Sequence, residues 1–91
     1  MVEEVHDAIT HYEATSSTTP RRFEAEIRRI LQEIKEYPER GSLTLRNARR
    51  RRLQGFPYSI IYLVKQDHVH IIAASHSSRD WGYWVKRLED Q

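Results

Sequence analysis

Between residues 2 and 37 apolar side chains recur every three or four positions, and from residue 43 they begin to alternate, so the chain divides into a helical half and a strand half. Val2, Val5, Ile9 and Tyr12, with Ala8 beside them, place an apolar stripe on a helix over about residues 3–14. Thr15-Ser16-Ser17-Thr18-Thr19 ends it, because short hydroxyl side chains compete for backbone hydrogen bonds. Thr19 then reads as an N-cap with Pro20 at the first helical position, and Phe23, Ile27, Ile30, Leu31, Ile34 and Tyr37 fall on one face of a second helix. Glu24 with Arg28 and Arg29 with Glu33 pair along its outer side. Pro38 stops the helix, since it has no amide proton to donate and its ring clashes with the preceding turn. Two helices joined by a short polar connector predict a helical hairpin.

After Pro38-Glu39-Arg40-Gly41-Ser42 the period becomes two. Leu43 and Leu45 open the alternation, and the arginine-rich stretch that follows is too polar to be buried on both faces, which predicts one half-exposed strand reaching Leu53. Gln54-Gly55 turns the chain, and residues 58–65 form the most apolar strand, expected at the centre of the sheet. Gln66-Asp67 is a two-residue connection of hairpin length, and residues 69–75 return as the third strand. The tail over residues 79–88 suits a short strand or one helical turn, with Trp81, Tyr83 and Trp84 packing it onto the sheet. The expected fold is α+β: a single domain over residues 1–91, with an N-terminal helical hairpin on one face of a three-stranded antiparallel sheet. The opposite face is expected to be concave and partly open, gathering Arg50, Arg52, His76 and Arg79 if register keeps them on one side.

Composition narrows the chemistry. Ninety-one residues with 38% hydrophobic content support one small core. Cysteine is absent, which excludes disulfides and thiolate metal sites. His6, His11, His68 and His70 show no convergent ligand spacing with carboxylates, so neither a metal nor a cofactor is expected. No stretch approaches the roughly 20 apolar residues of a membrane span, and no signal-peptide core is present, which points to a soluble, cytoplasmic chain. The net charge is only +2, but Arg46, Arg49, Arg50, Arg51 and Arg52 crowd a stretch without acids, whereas Glu3, Glu4, Asp7 and Glu13 occupy a segment without Lys or Arg. One electropositive face is expected, fit for an acidic protein or a phosphate backbone.

Several blocks together form a pattern: Tyr12-Glu13 at the first helix end, Arg22-Phe23 opening the second, Tyr37-Pro38 closing it, the basic strand, Phe56-Pro57-Tyr58-Ser59-Ile60-Ile61-Tyr62, and Ala73-Ala74-Ser75-His76 through Arg79-Asp80-Trp81-Gly82-Tyr83-Trp84. On these residues the chain resembles the RelE/ParE superfamily of type II toxin–antitoxin toxins, closest to its ParE-like, plasmid-stabilisation branch. The resemblance covers nearly the whole chain. It departs from the family at the start, where members usually carry a short strand before the first helix; here the helix begins at once, and the expectation is a sheet edge without its neighbour.

The resemblance implies a growth-inhibiting toxin neutralised by a cognate antitoxin, with DNA gyrase as the target in the ParE-like branch and ribosome-bound mRNA in the RelE-like branch. As an RNase it would use Arg50, Arg52, His76, Arg79 and Tyr83 as catalytic groups, because cleavage through a 2′-hydroxyl needs cations on the phosphorane and a His, Glu or perturbed Tyr to move protons. Ser59 and Ser77 stand where such a nuclease would show arginines, the pattern of a poor nuclease. The antitoxin implied by the family carries an acidic, amphipathic segment that folds on binding; Arg49, Arg50, Arg51, Arg52, Tyr58, Trp81 and Trp84 are the candidate partner-binding residues, in a possible hetero-oligomer with the antitoxin. A module that binds nucleic acid without toxicity is the reading from a different class. Against these stand plainer roles, His76 as a hydrogen-bonded strand-end residue and the tryptophans as packing anchors.

Overall fold

The computed structural model describes residues 3–15 and 19–88; Val2 and residues 16–18 of the expected pattern, and the side chains of residues 12–15, lie outside the description. Helix α1 spans Glu3–Thr15 and α2 spans Thr19–Glu36. The predicted stripe on α2 is the one buried: Pro20, Phe23, Ile27, Ile30 and Ile34 face inward. Its outer side carries Arg29, bonded to Glu26 at 2.7 Å and paired with Glu33. Tyr37 departs from the expectation. It follows the last helical residue and is 48% exposed, with the Arg40 guanidinium 4.0 Å from its ring centroid.

Four strands follow, β1 Ser42–Leu43, β2 Arg49–Arg52, β3 Tyr58–Val64 and β4 Val69–His76, paired antiparallel in the order β1-β2-β3-β4. The class is the α+β expected. The fourth strand arises because the single basic strand foreseen over residues 43–53 is folded back on itself. Arg46 (φ 56°, ψ 34°) and Asn47 (φ 63°) are consecutive left-handed residues, closed by the Ala48 amide donating to the Leu45 carbonyl at 3.0 Å and the Thr44 amide to that of Ala48 at 2.8 Å. Two left-handed residues in succession match the right-handed twist of paired strands, and their usual sequence is Asn-Gly or Asp-Gly. Here Arg-Asn stands in that position, so the turn carries no glycine to mark it.

Register assigns the faces. On β3, Tyr58, Ile60 and Tyr62 point toward the helices, and Ile60, Tyr62 and Ala74 pack with Val5, Ala8, Phe23, Ile27, Ile30, Ile34 and Leu53. Phe56 and Tyr58 meet Phe23 edge-on, with centroids 5.1 and 5.4 Å apart. The Tyr62 hydroxyl, raised from its ordinary pKa by burial, donates to the Pro38 carbonyl at 2.6 Å and accepts from the Gly41 amide at 3.2 Å. A Cβ on Gly41 would lie 2.2 Å from that hydroxyl oxygen, so no other residue fits there.

The other face is not the open hollow that was expected. Ile61, Ile72, Ala73 and Ala48 form a second core closed by Trp84, which is 0% exposed, with Leu63, Tyr83, Val85 and Leu88 around it. A register shift at Ile61/Tyr62 makes Ile72 the extra residue of a bulge, so Ile72 and the adjacent Ala73 both serve this face. The physical reason for closure is legible in β3 itself: Ile60, Ile61 and Tyr62 are consecutive buried residues, and a strand that is apolar on both sides needs a cover on both sides. The tail, ending in the short helix α3 (Val85–Leu88), supplies the second cover.

Candidate functional site

The period-two geometry of β2 splits its four arginines. Arg49 and Arg51 turn to the helix side. Arg49 donates to the carbonyls of Glu39 and Gly41 at 3.0 and 2.7 Å, tying down the segment that precedes β1. Arg51 donates to Glu33 Oε1 at 2.7 Å, and this bond holds the Glu33 carboxyl below the usual carboxylate range. Arg50 and Arg52 turn to the second face, both exposed, and neither forms a salt bridge among the described residues. The Arg50 guanidinium lies 5.6 Å from the Trp81 ring centroid.

Trp81 is 44% exposed yet fixed in place: its indole N–H donates to Thr44 Oγ1 at 2.9 Å, and its ring meets Trp84 edge-on at 5.9 Å. Trp84 is fully buried and offers no surface to a partner, so of the two tryptophans only Trp81 is available. Tyr58, half-buried on the helix side, stands across the sheet from Arg50 and Arg52.

The remaining predicted residues gather elsewhere. His76 pairs with Tyr58 in register, so it shares the helix side, and its ring meets Tyr58 edge-on at 4.9 Å. Its Nδ1 accepts the Ser78 amide at 2.9 Å, so in the neutral ring Nε2 carries the proton and has no lone pair for general-base work. The Arg79 guanidinium sits 3.8 Å from the Tyr83 ring centroid. Tyr83 donates to Glu4 Oε2 at 2.6 Å; burial, reinforced by this carboxylate, pushes its hydroxyl up to about 12. Arg87 binds the same carboxylate oxygen at 2.7 Å and also donates to the Ile72 carbonyl at 3.0 Å. Burial acts to raise Glu4, but the bonds from Arg87 and Tyr83 outweigh it and hold the carboxyl below its ordinary value. Glu4, Asp7, Tyr58, Ala74, His76 and Arg79 line a cleft of about 120 Å³.

The five candidate catalytic residues therefore divide into two groups. His76, on the helix side by register, and Arg79 and Tyr83, which meet beside α1 past the end of β4 with Tyr83 packed against the second core, form one group; Arg50 and Arg52 project from β2 on the face opposite His76. Ser59, opposite Arg52, is buried, and Ser77 is exposed. Sequence reasoning missed Glu4 and Arg87, whose clasp joins the first described turn of the chain to the last; the acidic N-terminal segment was the only signal. It also missed Thr44, the anchor of Trp81. A larger groove of about 550 Å³ opens between α2 and the β3–β4 turn, floored by Leu31, Val69 and Ile71 and edged by Lys35 and Lys65. Among the described residues no group of three His, Cys, Asp or Glu side chains could hold a metal ion, and no helix is long and apolar enough to cross a membrane.

With helices, sheet and basic strand in place, the comparison with known families is decisive. The family model for the ParE toxin of type II toxin–antitoxin systems (parDE) matches residues 2–81. The chain belongs to the ParE toxin family. No curated protein and no solved structure gives a significant match. Membership of the ParE toxin family makes the chain the toxin type of a two-component module and implies an antitoxin as its partner. The match runs through Trp81, so Tyr83, Trp84 and Arg87, which close the second face, lie past its end.

Proposed function

We propose that this chain arrests growth by binding DNA gyrase rather than by cutting RNA, and that its antitoxin restrains it through acidic side chains placed against Arg50 and Arg52. The observation that carries this reading is the separation of the candidate catalytic groups. A 2′-hydroxyl cleavage site needs its base and its phosphorane cations around one phosphate. Here Tyr83 is held protonated by burial and Glu4, the lone pair on His76 is taken by the Ser78 amide, and Arg50 and Arg52 project from the face of the sheet opposite His76. A toxin that acts by occupying a protein surface requires none of these groups to converge. Family membership supports the antitoxin half, and Arg50 and Arg52, in no salt bridge among the described residues, are the β2 cations that can meet it, since Arg49 and Arg51 are engaged within the fold.

The test is purified protein titrated into a DNA supercoiling assay with gyrase, beside a translation reaction in which messages are mapped for cleavage. Loss of supercoiling with intact messages supports the proposal. Ribosome-dependent cleavage with normal supercoiling refutes it in favour of the RelE-like activity.

A further inference from the structure

The turn between β1 and β2 combines features that ordinary surface economy does not explain. Leu45 is 46% exposed, Trp81, bonded to the neighbouring Thr44, is 44% exposed, and the Arg50 guanidinium lies 5.6 Å from the Trp81 ring centroid. A soluble surface tolerates single apolar side chains, but a contiguous group marks an interaction site. Arg46, also exposed, occupies a left-handed backbone position that is unfavourable for an L-residue other than Gly or Asn. Strain kept at an exposed turn, where glycine would remove it, points to a use for the side chain. Leu45 Cδ1 stands 2.9 Å from where a Cβ on Gly82 would be, so the turn and the tail fit closely and present their apolar groups as one unit.

We infer that Leu45, Arg46 and Trp81 form the surface that engages the toxin's target, an acidic patch with an aliphatic pocket on a folded protein. Trp and Arg are the residue types that most often carry interface energy, and an exposed leucine asks for an apolar pocket, which a nucleic-acid backbone does not offer. Arg46, Arg50 and Arg52 supply a positive rim, with Asp80 the one acid beside Trp81 in the chain. A segment that folds on binding buries a long stretch of surface and suits the groove edged by Lys35 and Lys65 or the flank of β2; a rigid two-residue turn suits a preformed pocket. An antitoxin laid over Arg50 and Arg52 would abut this tip and block it, so neutralisation and target binding compete. The inference rests on the reading of the chain as a toxin with a protein target.

The experiment uses the whole chain and a Leu45→Ser/Arg46→Glu double variant, both positions exposed and outside the two cores. Unfolding temperature and the emission of buried Trp84 report folding, and a Trp81→Ala variant provides a second probe of the same tip. With purified gyrase, each variant is expected to need about thirtyfold or more protein for the same loss of supercoiling, since truncating a central anchor typically costs about 2 kcal/mol or more. Folded variants that inhibit like the parent overturn the inference. If the parent arrests growth without touching gyrase, the gyrase reading fails, and growth arrest by the variants decides the surface: arrest lost upholds it, arrest kept overturns it. A parent that neither inhibits gyrase nor arrests growth overturns both.

Discussion

The two faces of the sheet are closed by different means. Toward the helices, α1 and α2 lay a continuous apolar stripe over β3 and β4, so burial is spread across many side chains from Val5 to Ile34. On the other side the tail does the same work, with Trp84 at its centre and the Glu4–Tyr83–Arg87 clasp at its end. Distributed packing tolerates the loss of one side chain better than a cover that hangs on a single ring. The arginines of β2 repeat the contrast at smaller scale, two absorbed into structure and two left exposed.

The sharpest way to break this comparison is Trp84→Ala. Removing the ring should cost about 3–5 kcal/mol and uncover the second face, read as a lowered denaturation midpoint together with new binding of a hydrophobic dye. A cost below that of Ile27→Ala, about 2–5 kcal/mol, would mean that the tail does not close the sheet. Trp84→Phe should cost much less than Trp84→Ala, because the indole N–H is buried without a partner and its loss forfeits no bond.

Next in size is the split within the arginine run. Arg49→Ser leaves the Gly41 carbonyl without its donor and should cost about 1–3 kcal/mol, whereas Arg50→Ser, at an exposed position, should stay within about 0.5 kcal/mol. The reverse order in chemical denaturation would show that register does not divide the run.

The clasp gives a dependence on pH. Glu4 is depressed in the folded state, so its contribution is present above the unfolded carboxylate value near 4.5 and is lost as pH falls through the lower folded value. Tyr83 is raised to about 12, so its contribution is present below the unfolded value of 10.0 and is lost as pH rises through the folded one. These two groups predict a plateau between those limits; Glu4→Gln removes the acid shoulder and reduces the alkaline one, and Tyr83→Phe removes the alkaline shoulder and reduces the acid one, since each group shifts the other. The clasp is partly solvent-screened, and Glu4→Gln should cost about 1 kcal/mol at neutral pH. The smallest expected effect has the opposite sign: Arg46→Gly should stabilise by up to about 1 kcal/mol, relief of strain being partly offset by the entropy of glycine in the unfolded chain. It should also weaken target inhibition.

Much of this was legible beforehand. The spacing of Phe23, Ile27, Ile30 and Ile34 marked the buried side of α2, and the run from Ile60 to Tyr62 marked the central strand. Pro38 marked the helix end. The β1–β2 turn was not legible because Arg46 holds a place where the usual marker is glycine. The candidate site was legible in residue types but not in grouping, since Arg50 and His76 fall on opposite sides only through the pairings of β2 with β3 and β3 with β4.

Local periodicity and the residues that end helices are properties of neighbouring side chains along the chain, and they sufficed to specify the α+β class, the helical hairpin and the apolar hairpin of β3 and β4. Which arginines are free, which tryptophan is buried and which acid clasps the tail depend on strand register and on contacts between residues as far apart as Glu4 and Arg87. A one-residue change of register would exchange the two sides of β2 without altering its composition, so that division belonged to the tertiary structure alone.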